Sequence, residues 1–518
     1  MMERKKLLFL YPTSGLTPTV PGSLPILAGI AKEKGWAFRL FDTFRYDKQE
    51  ADTNRNRESS GEFKYSDCFS NITRQPFSFL VSDLQAEIDD FQPNIIAITL
   101  MSVDFSFLAT FFPQIALPSG TLIVGGGVHA VLCPEEMSTS GMFDLICIGE
   151  GEDVFAELLD RIEHDEQINN IAGTIYNNRH VGIVSHNHKR PLIDSQRLWR
   201  TLSDFSMFSD VHFHQPFDGR VLRKAYVECS RGCPYSCFYC GNTALKEAYG
   251  RDQNFVRVRS INSIISNMKC LIKENRVEIF SLIDECFLSK PKHWLEEFSK
   301  QYAEEIHIPF IIQTRAETVN EERIRLLKKA GSPFLQISIG VESGSERILF
   351  HVCNRKTRLE SIKKAFTLLH QYHIRSCGLF MIGFPYETRQ DAMQTIRLCR
   401  ELCPTVSHVS IYQPFRGQKL RDVCIREGFI TGNEPESTYT NHSILQMPQF
   451  TAHEIESLRR VFMLYAFLPE RYFSLIERCE RDWEGNQNLY HTLVALRWNP
   501  KDELLISKLE VYFNLQSF

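Results

Sequence analysis

Two successive series of short apolar segments constrain the fold of this chain more than any other feature. The first series runs from residue 5 to 149 and the second from 225 to 415, and segments with helical spacing separate their members. Alternating strands and helices are typical of parallel sheets that helices cover on both faces. A chain of 518 residues is too long for one hydrophobic core, so we expect two large domains of the α/β class.

The first series predicts a doubly wound, Rossmann-like domain over residues 1–185. Its candidate strands are aliphatic and bounded by turn formers, and they are LLFLYP after Lys5, AFRLFD (37–42), NIIAITL (94–100), TLIVGGG (121–127) and DLICIG (144–149). Residues 171–185 predict a hairpin that closes on Asn177–Asn178. The polar stretch from Tyr46 to Ser66 predicts a mobile surface insertion without chemistry.

The second series predicts a partial (βα)6 barrel over residues 225–430, after a linker at 186–224. Its candidate strands lie at 225–230, 278–284, 309–315, 335–342, 376–384 and 406–415. In barrels of parallel strands the chemistry lies at the carboxyl ends of the strands, so we expect the site there. Residues 431–518 are largely helical in pattern and carry no motif, which predicts a helical C-terminal region.

Charge and cysteine usage narrow the class of protein further. A net charge of −4 and a pI near 6.5 give no general basic field, so nucleic acid is not an expected partner. No apolar run approaches the roughly 20 residues that cross a bilayer, and the start lacks a signal-peptide cleavage site, which predicts a cytoplasmic protein. The 15 cysteines are scattered except for one group and do not resemble a secreted disulfide framework.

That group is Cys233, Cys237 and Cys240, in the sequence ECSRGCPYSCFYC just past the first candidate strand of the barrel. Thiolates ligate zinc and iron–sulfur clusters alike, so the residue type does not choose between them. A structural zinc site needs four ligands, usually as two pairs, and the chain offers no second CxxC or HxxxH pair. A zinc site completed by Cys229 is the alternative that the spacing leaves open.

The CxxxCxxC spacing after a strand, with an aromatic residue before the last cysteine, resembles that of the radical S-adenosylmethionine (radical SAM) superfamily. The resemblance implies that the three thiolates hold a [4Fe–4S] cluster whose fourth iron binds S-adenosylmethionine. It also implies reductive cleavage of the sulfonium to methionine and a 5′-deoxyadenosyl radical. An electron donor such as flavodoxin or ferredoxin is then an expected partner.

Strand ends of the barrel resemble further superfamily positions, in the expected order. The residues for which this implies contacts to S-adenosylmethionine are Tyr239, Asp284, Glu285, Glu342 and Ser343. Gly383 in MIGFPYET resembles the adenine-flanking segment but departs from the stricter GxIxG form. Arg315 closes the third strand, where its guanidinium can bind a ligand carboxylate or phosphate or form a structural ion pair.

The α/β domain that precedes this barrel resembles the cobalamin-binding subfamily of radical SAM enzymes. There, glycine-rich strand ends hold the corrin, and the corresponding positions here are Ser102, Gly126, Gly127, Gly149 and Glu150. Simple tight turns and a domain that has lost the cofactor are the alternatives. The first loop, YPTSGLTPTVPG, lacks the DxHxxG motif that ligates cobalt in other cobalamin proteins, so we expect no histidine ligand. His129 is the one histidine near this edge.

The resemblance implies a cobalamin-dependent methyltransferase that acts on an unactivated carbon of a small molecule or natural product. The alternative is a cyclisation, rearrangement or oxidation by the same radical chemistry, with or without cobalamin. A tRNA methylthiotransferase is a further alternative, but it needs three N-terminal cysteines for a second cluster. Cys68, Cys133 and Cys147 cannot be assumed to converge on one. The sequence identifies neither a separate catalytic residue nor a substrate.

Overall fold

The computed structural model describes residues 4–13, 15, 18–48, 53–64, 73–179, 183–217, 219–250, 253–434 and 442–514, a range that leaves out Cys68. These residues form two seven-stranded sheets, one two-stranded sheet and a C-terminal group of helices. The α/β class expected from the two series of apolar runs is therefore confirmed.

The first sheet has the strand order β2-β1-β3-β4-β5-β6-β7. Its strands are β1 (Lys6–Tyr11), β2 (Ala37–Asp42), β3 (Ile95–Thr99), β4 (Leu122–Gly126), β5 (Leu145–Cys147), β6 (Thr174–Asn178) and β7 (Ile183–His186). Strands β1 to β5 are parallel and β6 and β7 add an antiparallel hairpin. Asn177 and Asn178 belong to β6, so the hairpin turns after them and not at them.

Helices cover both faces of this sheet because alternate residues of each buried strand point to opposite sides. Leu7 and Phe9 pack in one hydrophobic core, whereas Leu8 and Leu10 pack in another. The helices of this domain are α1 (Leu24–Glu33), α2 (Thr53–Ser59), α3 (Leu80–Phe91), α4 (Ser102–Phe111), α5 (Val128–Leu132), α6 (Pro134–Thr139) and α7 (Gly151–Glu163). The doubly wound arrangement is confirmed.

The second large sheet has the order β16-β15-β14-β13-β12-β9-β8 and is open at β16 and β8. Its strands are β8 (His214–Phe217), β9 (Arg220–Val227), β12 (Ile279–Leu282), β13 (Phe310–Arg315), β14 (Leu335–Glu342), β15 (Arg375–Ile382) and β16 (Val406–Ile411). Strands β10 (Ser230–Arg231) and β11 (Arg257–Val258) pair with each other in the separate two-stranded sheet. Six of the seven are parallel, as expected for a partial (βα)6 barrel. Strand β8 is antiparallel and lies within segment 186–224, for which a linker was expected.

Helices connect the barrel strands and continue into the C-terminal region. They are α8 (Gly241–Tyr249), α9 (Ile261–Asn275), α10 (Lys292–Glu305), α11 (Glu321–Lys329), α12 (Leu359–Gln371), α13 (Arg389–Leu402), α14 (Lys419–Arg426), α15 (Ala452–Phe467), α16 (Phe473–Arg481), α17 (Gln487–Trp498) and α18 (Glu503–Asn514). Helix α15 packs on α13 and β16, which anchors the C-terminal helices to the barrel. Within the described residues, no helix is long and apolar enough to cross a membrane.

The prediction of a mobile surface insertion between Tyr46 and Ser66 was wrong for residues 53–64. Helix α2 lies there, and Glu62 after it is 2% exposed. The Glu62 carboxylate accepts hydrogen bonds from Arg459 of α15 (2.5 Å) and from His408 of β16 (3.3 Å). Hydrophobicity patterns miss such a segment because it is held by charge pairs and not by apolar side chains. The insertion joins the first domain to the C-terminal helices.

Replacing Glu62 with Gln should destabilise the fold. Arg459 is 5% exposed, and loss of its anionic partner leaves a buried charge uncompensated. Removing one partner of a buried pair costs about 3–5 kcal/mol. Chemical denaturation of Glu62→Gln, compared with the exposed control Glu163→Gln at the end of α7, measures this difference. Equal unfolding free energies for the two variants would show that the insertion does not stabilise the molecule.

Candidate active site

A cavity of about 340 Å³ lies where the carboxyl ends of the strands in the two parallel sheets meet. Its size falls within the range of ligand pockets, and its position is the one at which α/β sheets bind ligands. The first domain contributes Gly22, Ser23, Thr99, Gly126, Gly127, Gly149 and Glu150, and the barrel contributes Glu228, Arg231, Asn242, Tyr249, Phe255, Arg257 and Glu285. One cavity therefore joins the edges at which both domains were expected to bind a ligand.

Glycines form the part of the cavity wall that belongs to the first domain. A Cβ atom added at Gly126 would meet only the Cβ of Cys147, at 3.8 Å, so the site next to β4 is open. Gly127 has a φ of +100°, and a Cβ there would lie 2.7 Å from the backbone nitrogen of Leu100. Glycine is therefore required at 127, whereas at 126 it leaves room for a bulky ligand to approach the backbone.

The side chain of Glu150 does not point freely into the cavity. Its carboxylate accepts hydrogen bonds from Arg257 (2.7 Å) and Arg231 (3.0 Å) of the barrel and from the backbone N–H of Ile193 (2.9 Å). Burial raises the pKa of this carboxyl, but the two guanidinium groups outweigh burial and hold the pKa below its usual value. Glu150 therefore ties the first domain to the barrel at the rim of the cavity.

Histidine is absent from the described residues that line the cavity. The ring of His129 is fully buried, stacks on Phe105 with centroids 4.4 Å apart, and contacts the Ser102 hydroxyl at 3.1 Å through Nδ1. Ser102 thus faces His129, unlike the three glycines and Glu150, which line the cavity as expected. That no histidine of this domain ligates cobalt stays a prediction.

The loop with Cys233, Cys237 and Cys240 borders the cavity through Gly232 and Asn242. Strand β10 immediately precedes the loop and pairs with β11, which follows α8, and Cys240 is the N-cap of α8. Among the described residues these three sulfur atoms do not all lie within 4.8 Å of one another. Thiolates on one tetrahedral zinc ion lie about 3.8 Å apart at a Zn–S distance of about 2.3 Å. The donor set therefore fits a larger iron–sulfur cluster better than a single zinc ion.

Cys229 does not complete a zinc site. Its side chain is fully buried, and burial raises the pKa of the thiol well above its usual value, next to the carboxylate of Asp284. Among the described residues, Cys229 belongs to no group of three potential ligands whose atoms all lie within 4.8 Å of one another. The structure gives no support to the four-cysteine alternative.

Arg315 lies beside the cysteine loop and not in the cavity wall. Its guanidinium donates to the Cys237 sulfur (3.1 Å), to Thr357 (2.9 Å) and to Glu317 (2.5 Å), and it lies 3.8 Å from the centre of the Tyr235 ring. All three nitrogens of the guanidinium are thus occupied within the protein. The geometry favours a structural ion pair that orients a cysteine, one of the two readings that the sequence left open.

Tyr239 and Glu342 meet at Arg355, a residue that sequence reasoning missed. The Arg355 guanidinium donates to the Tyr239 hydroxyl at 3.3 Å and lies 3.8 Å from the Glu342 carboxylate. Glu342 has a φ of +65° at an irregularity in the β14–β15 ladder, and burial raises the pKa of its carboxyl. Arg355 follows no strand or motif, so its neighbourhood in the sequence carries no signal of this role.

Asp284 and Glu285 follow β12 but point in different directions. Asp284 is 1% exposed, accepts a hydrogen bond from Ser230 (2.5 Å) and pairs with the buried Lys290 (3.2 Å). Glu285 faces the open cavity, where surrounding protein and the nearby carboxylates of Asp284 and Glu228 raise its pKa to about 7. Only Glu285 of this pair is placed to contact a ligand directly.

Ser343 and Gly383 both have hydrogen-bond partners within the protein. The partner of Ser343 is on α13, and the partner of Gly383 is in the turn between β15 and α13. The Ser343 hydroxyl is buried, lies 3.3 Å from the Thr395 hydroxyl and accepts the N–H of Ser345 at 3.1 Å. Gly383 has a φ of +83° and donates its N–H to Glu387, whose fully buried carboxyl has a pKa raised to about 8 by burial. One oxygen of Glu387 has no hydrogen-bond partner, and this residue was also missed.

Two family descriptions match this chain in the order that the motifs predict. Residues 21–159 match the B12 binding domain, and residues 227–399 match the Radical SAM superfamily. The first range contains the glycine-rich cavity wall, and the second contains the three cysteines and strands β12 to β15.

Two curated relatives are identical to the chain at about a quarter of the aligned positions. An uncharacterized methyltransferase of Pyrococcus horikoshii is 25% identical over 394 residues, which cover 75% of this chain and 82% of the relative. The anaerobic magnesium-protoporphyrin IX monomethyl ester cyclase of Rubrivivax gelatinosus is 24% identical over 297 residues, which cover 56% of this chain and 51% of the cyclase. The chain thus spans about half the length of that cyclase.

A solved structure with the same fold is that of the cobalamin-dependent S-adenosylmethionine radical enzyme OxsB, with aqua-cobalamin and S-adenosylmethionine bound. The superposition has a TM-score of 0.62, with 14% identity, and covers 100% of this chain and 76% of OxsB. The arrangement of a doubly wound domain, an open parallel barrel and C-terminal helices is therefore shared.

The raised pKa of Glu285 predicts a pH-dependent stability difference. The unfolded chain releases this proton near pH 4.5 and the folded chain near pH 7, so the folded parent loses stability as pH rises through this window. Glu285→Gln removes the loss, and its melting temperature relative to the parent should be higher at pH 8 than at pH 5. The exposed control Glu304→Gln on α10 should show no such trend. A Glu285→Gln shift that is equal at both pH values would contradict the assignment.

Proposed function

The chain belongs to the radical SAM superfamily and carries a B12-binding domain, and from this premise we propose that it is a cobalamin-dependent methyltransferase acting on an unactivated carbon. The proposal rests on the cavity that the two domains share. The glycine wall, formed by Gly126, Gly127 and Gly149, lies on one side of this cavity, and the cysteine loop lies on the other. A methyl transfer to substrate that uses both cofactors requires the cluster and the corrin to face the same substrate. A shared cavity supplies that geometry.

We assign the cluster to Cys233, Cys237 and Cys240 and the corrin to the glycine wall at Gly126 and Gly149. A [4Fe–4S] cluster held by these three thiolates would supply the electron for reductive cleavage of S-adenosylmethionine, and methylcobalamin held at the glycine wall would supply the methyl group. Arg315 holds the Cys237 sulfur in place through its hydrogen bond.

The residues around the cysteine loop offer the groups that S-adenosylmethionine requires. Glu285 lies in the cavity as a carboxylate for the amino group, and Glu342 with Tyr239 offers acceptors for ribose hydroxyls. The fixed partners of Asp284 and Ser343 give these two residues a positioning role behind the strand ends. The turn held by Gly383 and Glu387 lies after β15 and supports the adenine side in the same way.

The share of each relative's length that the chain matches favours methyl transfer over the cyclase alternative. The chain matches 82% of the methyltransferase of P. horikoshii but about half of the cyclase. The cavity, at about 340 Å³ next to a glycine wall, fits a small-molecule substrate and not a folded nucleic acid. We extend the proposal to a cytoplasmic location and to a flavodoxin or ferredoxin as the electron donor.

The two cofactor assignments predict separable losses. Protein reconstituted anaerobically should retain about four irons and about one corrinoid per chain after desalting. Gly126→Leu should lose the corrinoid and keep the iron, because an added Cβ there meets only the Cβ of Cys147, at 3.8 Å, and the rest of the side chain occupies the corrin side of the cavity. Changing Cys233, Cys237 and Cys240 together to Ala should do the reverse. Ala116→Leu, on the surface of the first domain, is the control that should keep both.

Two outcomes would contradict the proposal. Zinc in place of iron in the native protein would remove the radical chemistry altogether. Iron retained with no corrinoid in the parent would leave the radical site but exclude cobalamin-dependent methyl transfer, which favours the cobalamin-free alternative. Products of the reaction then decide between ring closure, rearrangement and oxidation.

A further inference from the structure

Three potential metal ligands lie together in the first domain. The ligand atoms of His129, Cys133 and Glu136 are all within 4.8 Å of one another. His129 is in α5, Cys133 joins α5 to α6, and Glu136 is in the first turn of α6. Over the part of the chain that the structure describes, no other trio of His, Cys, Asp or Glu has this geometry. The group is distinct from the cysteine loop of the barrel.

The ring of His129 is held with Nε2 toward the other two side chains. This atom is buried and has no hydrogen-bond partner, and the nearest Glu136 oxygen lies 3.6 Å away, beyond hydrogen-bond range. A buried polar nitrogen without a partner is destabilising, so its presence needs an explanation. A metal ion between the three side chains would supply the missing partner.

We propose that His129, Cys133 and Glu136 bind one zinc ion, with water as the fourth ligand. Zinc accepts nitrogen, sulfur and carboxylate ligands together and is tetrahedral. Bonds of about 2.0 Å place the nitrogen and oxygen ligands of such an ion roughly 3.3 Å apart, close to the observed 3.6 Å. A thiolate and a carboxylate balance the two charges of the ion, and the thiol proton is released on binding.

Neighbouring side chains orient His129 and Glu136 for metal binding. Nδ1 of His129 lies 3.1 Å from the Ser102 hydroxyl, which can accept its N–H. In that tautomer the lone pair is on Nε2. Arg416 donates to both oxygens of Glu136 (2.5 and 2.7 Å), which orients the carboxylate and leaves it further lone pairs.

A metal ion at this position would brace one wall of the cavity. Val128 and Val131 of α5 line the cavity, whereas His129 between them is fully buried. Arg416 comes from the loop after β16, so the site also lies at the contact between the first domain and the barrel. The ion would hold this segment in place, but with water in its fourth position it is an open site and not a closed four-ligand one. It is independent of the cluster and of the corrin.

Zinc binding can be measured in the full chain after Cys233, Cys237 and Cys240 are changed to Ala, so that zinc cannot occupy the cluster loop. This protein should retain about one zinc ion per chain after desalting. Added His129→Ala or Cys133→Ser should abolish retention, and Ser102→Ala should weaken zinc binding about 10- to 100-fold. Cys403→Ser, which removes an exposed cysteine, is the matched control and should leave zinc binding unchanged.

Cobalt(II) gives a second readout in the same protein. Bound at this site it should show the absorption of a tetrahedral ion and a thiolate-to-cobalt charge-transfer band, and Cys133→Ser should remove that band while the circular dichroism spectrum stays that of the parent. Absence of retained zinc in the parent, or zinc retained equally by His129→Ala and Cys133→Ser, would overturn the proposal. Neither result bears on the iron or corrinoid content, so the proposed function is tested separately.

Discussion

The ion pairs of Glu150 with Arg231 and Arg257 are the interaction on which the arrangement of the active site depends. They join the loop after β5 to the barrel residues that flank the cysteine loop, at the point where both sheets end. Arg257 is 3% exposed, so the pair is desolvated, and its value lies in fixed geometry more than in net stability. This link fixes the two strand edges relative to each other at the rim of the cavity.

Charged residues also join the first domain to the rest of the chain at two other places. Glu62 pairs with Arg459 of α15 and His408 of β16, and Glu136 pairs with Arg416 of the barrel. Glu62 and Arg459 are buried, so a displaced charge there would remain buried and unpaired, whereas Glu136 and Arg416 are partly exposed. Apolar contacts alone tolerate sliding, whereas these pairs do not. The substrate cavity is therefore bordered by elements held in register at several separate points.

Sequence reasoning succeeded where a pattern repeats. The alternation of apolar runs with helical spacing predicted both parallel sheets, and three cysteines close together predicted a metal site, because these signals are local. It failed at Glu62, Arg355 and Glu387, each of which acts through partners distant in the chain. It also assigned Ser102 to the corrin, although its hydroxyl faces His129. Side-chain direction at a strand end depends on packing that a single sequence does not display.

The central claim is that the cluster and the corrin face one cavity at the edge between the sheets. Paramagnetic resonance of the Co(II) corrinoid, recorded with the cluster reduced, tests it most directly. The account predicts a cobalt signal that is broadened or split by the neighbouring cluster spin, compared with the signal from the variant in which Cys233, Cys237 and Cys240 are Ala. Identical cobalt signals from the two proteins would contradict a shared cavity.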